Sequence, residues 1–266
     1  MSETKDEVNK TEAASEAAQG DPATGGASSE KSADESGTGW RRQSRALWKE
    51  WVKPLLVIGL VMFSFRSAVA DWNDVPTGSM KPTILEGDRI FINKVAYDLK
   101  VPFTTIRLAQ WDDPEWGDVV VLRSPEDKKR LVKRVVGLPG DTIEIRGIYL
   151  IRNGERAVYS RLEPNFVNQI DVDQRPAYLF AAEEIEGRRH PIMSSLRAMA
   201  SPRGPFVVQD GHFFVMGDNR GNSRDSRYFG TVNRTEILGE ATAVALSFDR
   251  KDYWKPRWQR FFSKLP

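Results

Sequence analysis

A serine in a short, rigid loop is the first candidate for chemistry in this sequence. Residues 75–83 are VPTGSMKPT, so proline and glycine restrict the backbone on both sides of Ser79. Gly78 has no side chain and lets another backbone approach closely. Such a loop can display the Ser79 hydroxyl as a nucleophile, although serines in turns are commonly structural and a nucleophile also needs a base.

The base that would activate this serine must be a histidine or a lysine. His190 is predicted to lie in an exposed loop and His212 to pack in a strand, and neither belongs to a polar motif. A lysine must lose about 3 pKa units to act near pH 7, so it has to be buried. Lys133 fits because it lies in the apolar run Leu131–Val136, where alternation turns Lys133 and Arg134 to opposite faces, one inward and one to water. A lysine on the surface of a strand is the alternative.

A third polar block, residues 217–230 (GDNRGNSRDSRYFG), follows directly after an apolar run. It combines hydroxyl, amide and charged groups with an aromatic residue and glycine at its end, which is uncommon in a solvated loop. We therefore expect a buried polar network in which each member has a hydrogen-bond partner.

Four sequence blocks taken together resemble bacterial type I signal peptidases (leader peptidases). The blocks are PTGSMKPT, GDRIFINK, KRVVGLPGD and GDNRGNSRDSRYFG. The resemblance extends from about Leu55 to Phe248 and is weakest across residues 152–208. It implies that Ser79 is the nucleophile and Lys133 the general base. It also implies a serine endopeptidase that removes signal peptides from exported preproteins through an acyl-enzyme.

By the same resemblance, the backbone N–H of Ser79 and the hydroxyl of Thr77 form the oxyanion hole, which stabilises charge that develops in the transition state. Thr77 stands where the family often has serine, so its hydroxyl is retained but its rotamer is more restricted. Ser223 would orient the lysine amine. Asp225 and Arg227 would form a supporting ion pair.

The substrate is expected to dock as an extended strand against an exposed sheet edge. Small residues at the first and third positions before the scissile bond, an A-x-A type site, would fill shallow apolar pockets. The predicted lining of these pockets is Ile84, Leu85, Ile90 and Val135. The resemblance implies neither a metal nor an organic cofactor. The expected partners are secretory preproteins and the lipid bilayer, and we predict a monomer.

The composition limits the function classes and the order of segments. Of the 266 residues 29% are charged, the net charge is only +2 and cysteine is absent, which excludes disulfides and thiol catalysis. Basic residues form no continuous stripe, so nucleic-acid binding is not expected. Residues 1–39 contain no aromatic residue and are predicted to form a disordered acidic cytoplasmic leader, followed by a basic juxtamembrane segment over 40–50.

An uncharged apolar run, residues 54–65, lies between Trp51 and Trp72. In a helix these two tryptophans would be about 30 Å apart, so we predict a transmembrane helix over residues 51–71. Basic residues before the run place the N-terminus in the cytoplasm and the catalytic domain in the periplasm, as a single-pass protein of the bacterial inner membrane. A cleavable signal peptide ending at Ala68-Val69-Ala70 is one alternative, and a buried soluble helix is another.

Short alternating segments rich in β-branched and aromatic residues follow the apolar run and are separated by turn signals. This pattern predicts a mainly β protein with an antiparallel β catalytic core. The core is divided into residues 72–151 and 209–249, with a β-rich or irregular insertion over 152–208. The basic aromatic tail, residues 250–266, has the spacing of an amphipathic helix, which would lie on the membrane or pack on its own domain.

Two rival functions stay open from the sequence. The chain could be a related Ser–Lys processing peptidase with another substrate, such as a conjugation or pilus-processing peptidase. It could also be a membrane-anchored β module that binds envelope partners without catalysis. A self-cleaving repressor fits less well, because it would be soluble and carry a DNA-binding region.

Overall fold

The structure is a computed structural model that describes residues 48–101, 104, 106–195 and 203–266. The predicted leader over 1–39 and most of the predicted basic segment over 40–50 lie outside the described residues. The chain divides into two compact units, Met1–Leu55 and Leu56–Pro266. The described part of the first unit is a π-helical turn, Trp48–Val52, and the start of the α-helix that follows it.

The apolar run forms an α-helix, Lys53–Ala68, with Pro54 in its first turn, where the missing N–H leaves no helical hydrogen bond unmade. The chain enters a strand at Ala70, because residues from Ala70 onward pair with a neighbouring strand. The predicted helix over 51–71 is therefore too long at its C-terminal end. Among the described residues, no helix is long and apolar enough to cross a membrane.

The described residues are mostly β-strands. In chain order the strands are β1 (Ala70–Asp74), β2 (Asp88–Asn93), β3 (Asp98–Lys100), β4 (Arg107–Gln110), β5 (Val119–Arg123), β6 (Arg130–Gly137), β7 (Thr142–Arg146), β8 (Tyr149–Arg152), β9 (Glu155–Arg156), β10 (Val158–Ser160), β11 (Tyr178–Ile185), β12 (Arg188–Ser195), β13 (Arg203–Val207), β14 (His212–Met216), β15 (Val232–Asn233), β16 (Ile237–Asp249), β17 (Lys255–Pro256) and β18 (Ser263–Lys264). Short α-helices lie at Pro164–Asn168 and Ser226–Phe229, and 3-10 turns at Gly78–Met80, Arg175–Ala177, Arg234–Glu236 and Trp258–Arg260.

These strands pair antiparallel in four sheets, which confirms the mainly β, antiparallel part of the predicted fold class. The largest is a 9-stranded sheet in the order β1-β2-β16-β5-β6-β14-β15, with β17 and β18 also paired to β16. The smaller sheets have the orders β13-β7-β8-β9, β10-β11-β12 and β3-β4. Strands β5 and β6 therefore lie in the interior of the large sheet.

Strand β5 is buried on both faces. Val119 and Val121 pack in one apolar cluster, whereas Val120 and Leu122 pack in another. Because successive side chains of a strand point to opposite faces, the large sheet carries an apolar core on each side at this place. Its neighbour β6 can therefore bury side chains on either face.

The segment predicted as an insertion, residues 152–208, is more regular than expected. Strands β11 and β12 form an 8-residue hairpin, closed by Glu186 and Gly187, both at positive φ. A parallel bridge joins Met193 of this hairpin to Asn219. The hairpin thus packs against the polar block 217–230.

The tail, residues 250–266, is not an amphipathic helix, and both predicted placements of such a helix are wrong. Strands β17 and β18 pair with β16, and a 3-10 turn lies between them. The Arg260 guanidinium is held between the Asp88 carboxylate and the Thr83 carbonyl, the latter at 2.9 Å. Pairing with β16 and this buried ion pair outweigh the helical spacing of the aromatic residues.

Candidate active site

The Ser79 hydroxyl and the Lys133 amine lie within hydrogen-bond distance. Lys133 Nζ is 3.0 Å from Ser79 Oγ and donates to the Val132 carbonyl at 2.9 Å. Ser79 lies in the 3-10 turn that follows β1, whereas Lys133 lies in β6. The fold therefore brings together a loop hydroxyl and a strand amine that are 54 residues apart in sequence.

Lys133 is 2% exposed, as a lysine base must be. Burial lowers the pKa of Lys133 to about 8, although the charges of Asp225 and Asp218 act in the opposite direction. Both of these carboxylates are bound to arginines, Asp225 to Arg227 and Asp218 to Arg134. Within the described part of the chain, Lys133 forms no ion pair, so the amine can be neutral near pH 8.

Arg134, the next residue of β6, is not in water as predicted but 1% exposed. Its guanidinium binds both carboxylate oxygens of Asp218 at 2.9 Å and donates to the Gly117 carbonyl at 2.6 Å. The prediction failed because the sheet is covered on both faces here. Burial acts to raise the pKa of Asp218, but the Arg134 charge holds it below its usual value.

The polar block 217–230 holds the serine turn in place. The backbone N–H of Asn219 donates to the Ser79 carbonyl at 3.1 Å, and its side-chain amide donates to the Gly78 carbonyl at 3.0 Å. The same block begins with Gly217, where a Cβ atom would collide with Ser223 Oγ and the Ser79 carbonyl oxygen. Gly217 is not among the predicted site residues, although its place at the junction of an apolar strand and a polar block could have indicated it.

Asp225 and Arg227 form the ion pair that the resemblance implied, with Arg227 Nε 2.7 Å from Asp225 Oδ1. Asp225 also accepts from the Gly217 N–H at 3.0 Å and caps the short helix Ser226–Phe229. Burial acts to raise the pKa of Asp225, but its hydrogen bonds with Arg227 hold the pKa below its usual value. The supporting role of the pair in catalysis stays a prediction.

Two further predicted residues lie beside the dyad without the predicted contacts. The Ser223 hydroxyl is shielded from solvent next to Gly217, but among the described residues it forms no hydrogen bond to Lys133. Thr77 precedes the serine turn, is exposed, and makes no capping hydrogen bond with its side chain. The orienting role of Ser223 and the oxyanion role of Thr77 stay predictions.

The four side chains predicted to line the substrate pockets are not brought together. Ile84 and Ile90 belong to the apolar cluster that contains Met80, beside Ser79. Leu85 packs in a different cluster with residues of the β11–β12 hairpin, and Val135 packs on the opposite face of the large sheet. All four side chains are buried. The alternation of apolar and polar residues therefore identified core positions but did not show which face of the large sheet each side chain occupies.

Neither histidine contacts the serine. His190 is not in an exposed loop as predicted but is buried in β12, with Nε2 3.2 Å from Glu183 Oε1. Burial lowers the pKa of this histidine. His212 begins β14, and its Nδ1 lies 3.0 Å from the Asp210 carbonyl. In the described part of the chain, no cluster of three His, Asp or Glu side chains is arranged to hold a metal ion.

Comparisons of the sequence with known proteins identify its family. A sequence model of the family described as "Signal peptidase, peptidase S26" matches residues 48–246. The signal peptidase I of Pseudomonas fluorescens is 39% identical over 209 residues, which cover 73% of this chain and 70% of that protein. The signal peptidase I P of Bacillus subtilis subsp. natto is 33% identical over 202 residues, covering 76% and 90% of the two chains.

A solved structure of a signal peptidase I from Enterococcus faecalis V583 is 26% identical and covers 49% of this chain and 98% of that one. The two align with a TM-score of 0.30, which is too low to support an argument about the fold. The sequence matches are independent of that alignment and span most of the chain. The chain belongs to the signal peptidase family, peptidase S26.

Proposed function

We propose that this chain removes signal peptides from exported preproteins as a serine endopeptidase, with Ser79 as nucleophile and Lys133 as general base. The observation that carries the proposal is the 3.0 Å distance between the serine hydroxyl and a lysine amine shielded from water. Membership in peptidase S26 supports the reaction class, and the relatives named signal peptidase I support the substrate class.

In the first step the neutral Lys133 amine takes the proton of the Ser79 hydroxyl. Ser79 Oγ forms a bond to the carbonyl carbon of the scissile peptide, and the carbonyl oxygen becomes an oxyanion. The backbone N–H of Ser79 and the exposed Thr77 hydroxyl are the donors we assign to that oxyanion. The hydrogen bonds from Asn219 to this turn support a fixed position of both donors.

In the second half of the reaction, the protonated Lys133 gives its proton to the leaving amine, and the peptide bond breaks. The mature protein departs and leaves the signal peptide as an ester on Ser79. Lys133 then deprotonates a water molecule, which attacks the ester carbonyl. The bond between Ser79 Oγ and the carbonyl carbon breaks, Lys133 returns the proton to Ser79 Oγ, and the signal peptide leaves with a new carboxylate. A pKa of about 8 suits both directions of proton transfer, because such an amine is neither permanently charged nor permanently neutral near pH 7.

Two free strand edges beside the dyad suit an extended substrate. β1 is the terminal strand of the large sheet, and β6 pairs with β14 only from Arg134 onward. In addition to the contact between Lys133 and Ser79, Arg130 Nη1 of β6 lies 2.9 Å from Asn73 Oδ1 of β1. Arg130 and Lys133 are three residues apart, or about 10 Å along a strand. The interval along β6 between these two contacts therefore accommodates about three extended residues, which is the length of an A-x-A site.

One apolar cluster borders both residues of the dyad and is our candidate for receiving small side chains of the substrate. It contains Met80 and, at its border, Val132, each of which is adjacent to a dyad residue. We propose that these two, together with Ile84 and Ile90, form the pocket that receives the residue before the scissile bond. Leu85 and Val135, which pack elsewhere, are not assigned to it.

The helix Lys53–Ala68 is proposed to anchor the enzyme in the bacterial inner membrane, with the catalytic domain on the periplasmic side. Its large apolar side chains are more than half exposed over most of its length, which suits a lipid environment. Ser79 follows the end of this helix by eleven residues, so the dyad would lie close to the membrane surface. Confinement of enzyme and preprotein to this layer raises their effective concentration.

The test is cleavage of a preprotein that carries a signal peptide, by the full chain in detergent micelles. Ser79→Ala and Lys133→Met should each lower the rate on the order of 10⁴-fold, because nucleophile and base act as a unit. Lys129→Met is the matched control, since Lys129 directly precedes β6 but is exposed. His212→Ala should also retain activity.

Cleavage at the wild-type rate by either dyad variant would contradict the proposed mechanism and favour a binding module. Loss of cleavage in Lys129→Met would show that the effect of Lys133→Met is not specific to the buried amine. Circular dichroism of each variant establishes that the β fold is retained.

A further inference from the structure

A basic groove with a volume of about 1010 Å³ lies at the C-terminal end of the helix Lys53–Ala68. Ser79 and Lys133 do not line it, but Arg130 borders both the groove and the interval assigned to the substrate. Five basic side chains from five segments of the chain converge on it, and Ser67 of the helix contributes to its wall. These five are Lys94, Lys100, Arg107, Arg123 and Arg130. We call this site the basic groove, and its charge is not explained by the proteolytic mechanism.

Buried carboxylates bind four of these cations, including Arg130, whose Nη1 lies 3.8 Å from Asp71 Oδ2. Asp98, which is almost fully buried, binds Lys100 at 2.6 Å and Arg107 at 3.1 Å. Asp71 lies 3.4 Å from the amine of Lys94. Lys100 and Arg107 keep N–H donors available toward the groove without further loss of side-chain entropy, whereas the Lys94 amine already contacts Asp71 and the carbonyls of Arg66 and Ser67.

The carboxylates do not neutralise the groove. Asp98 is shared between Lys100, Arg107 and a third cation, Arg234. The acidic side chain that lines the groove, Glu236, is bound to Lys128 at 2.6 Å. Arg123 is exposed and forms no ion pair within the described residues. The groove therefore keeps an excess of positive charge and suits an anion.

The floor of the groove is apolar. Ile92 and Val121, both buried, and the partly buried Leu238 lie beneath the basic rim. A small inorganic anion needs no apolar floor, whereas an amphiphile with a phosphate head uses both parts of such a site. The lining therefore favours a lipid headgroup with its adjoining glycerol over free phosphate.

The position of the groove identifies the source of such a ligand. Ser67 lies in the last turn of a helix whose preceding turns expose Leu60, Met62 and Phe63 by more than 60%. If that helix lies in lipid, as proposed above, the groove is at the level of the headgroups. We propose that the basic groove binds the phosphate of an anionic phospholipid, with phosphatidylglycerol as its representative, and so fixes the domain against the membrane surface.

The experiment is a thermal-unfolding titration of the full chain in neutral detergent micelles with phosphatidylglycerol. A ligand that binds only the folded state raises the midpoint of unfolding with concentration and yields an apparent Kd. Each cation near an anionic headgroup contributes about a fivefold change in affinity. The double variant Arg107→Gln/Arg123→Gln should therefore raise the Kd about 25-fold, and Arg107→Lys/Arg123→Lys should largely restore it.

The matched control is Arg146→Gln/Arg161→Gln, which removes the same charge from exposed positions outside the groove and should leave the Kd unchanged. Arg123→Gln alone, at an exposed position without an ion pair, should raise the Kd about fivefold and decides the matter if the double variant fails to fold. Equal Kd values for groove and control variants would overturn the proposal. An equal response to phosphatidylcholine, or saturation by inorganic phosphate alone, would also overturn it.

These variants distinguish a failure of the lipid-binding proposal from a failure of the proposed proteolytic mechanism. Ser79→Ala should bind phosphatidylglycerol like the wild type, because the serine does not line the groove. If the groove variants bind normally while Ser79→Ala is inactive, the lipid site is refuted and the proteolytic mechanism stands. If Ser79→Ala still cleaves preprotein while the groove variants lose lipid binding, the proteolytic mechanism is refuted and the lipid site stands.

Discussion

Lys133 and Arg134 are neighbours on β6, and both are almost fully buried, yet their surroundings differ in one respect. Arg134 has both oxygens of Asp218 at 2.9 Å, so its charge is matched. Lys133 has a hydroxyl and a carbonyl as neighbours, and its pKa is lowered to about 8 by burial. The same strand therefore holds one cation that stays charged and one amine that can release its proton.

A single loop creates this difference. The polar block 217–230 supplies Asp218 to Arg134, and it keeps the second carboxylate, Asp225, bound to Arg227. An ion pair between Asp225 and Lys133 would raise the lysine pKa and remove the base. A buried lysine base thus requires that nearby carboxylates be bound to other cations, which is the role we infer for Arg227.

The difference between Arg134 and Lys133 is tested most strongly by removing the charge of Asp218, the partner of Arg134. Asp218→Asn keeps the shape of the side chain but removes the charge that matches Arg134, so it should lower the free energy of unfolding by about 3–5 kcal/mol. Denaturant unfolding at pH 7 measures this change. Glu144→Gln is the control, because its partner Arg146 is exposed, and it should change the stability by less than about 1 kcal/mol. Equal losses in the two variants would contradict the assignment.

Removing the charge of Lys133 should change the free energy of unfolding in the opposite direction. The folded-state pKa of Lys133, about 8, lies below the ordinary value of 10.5, so the charged amine destabilises the fold below about pH 8. Lys133→Met should therefore raise the free energy of unfolding by about 3 kcal/mol at pH 7 while abolishing cleavage.

This gain should shrink as the pH rises from about 8 toward 10.5, where the lysine is neutral in both states. Unfolding curves of wild type and variant at several pH values measure the difference. A variant that is less stable than the wild type at pH 7 would show that the amine is not destabilised by burial.

The smallest expected effect is the pH dependence of cleavage. Because the neutral amine is the base, kcat/KM should rise about tenfold per pH unit below about pH 8 and level above it. Initial rates on a preprotein across this range give the apparent pKa. A profile that is flat between about pH 6 and 8 would place the base elsewhere, and Lys129→Met should leave the profile unchanged.

Errors in the sequence-based predictions concentrate where the partner of a residue lies on another strand. His190 was expected in a loop because Gly187 and two arginines precede it, yet it is buried against Glu183 across the β11–β12 hairpin. The tail was expected to be helical because its aromatic residues have helical spacing, yet it pairs with β16. In both cases local pattern was overruled by a contact that the pattern does not contain.

The sequence by itself determined the antiparallel β class and the family, and it predicted which serine and which lysine lie together. These follow from local patterns, because strand alternation, turn residues and the polar blocks are each contained in a few consecutive positions. Only the tertiary structure decided which buried cation is neutralised by a carboxylate and which is not, and which apolar side chains share a face. Those properties depend on distances between segments far apart in the chain, and burial and ion pairing are set by those distances.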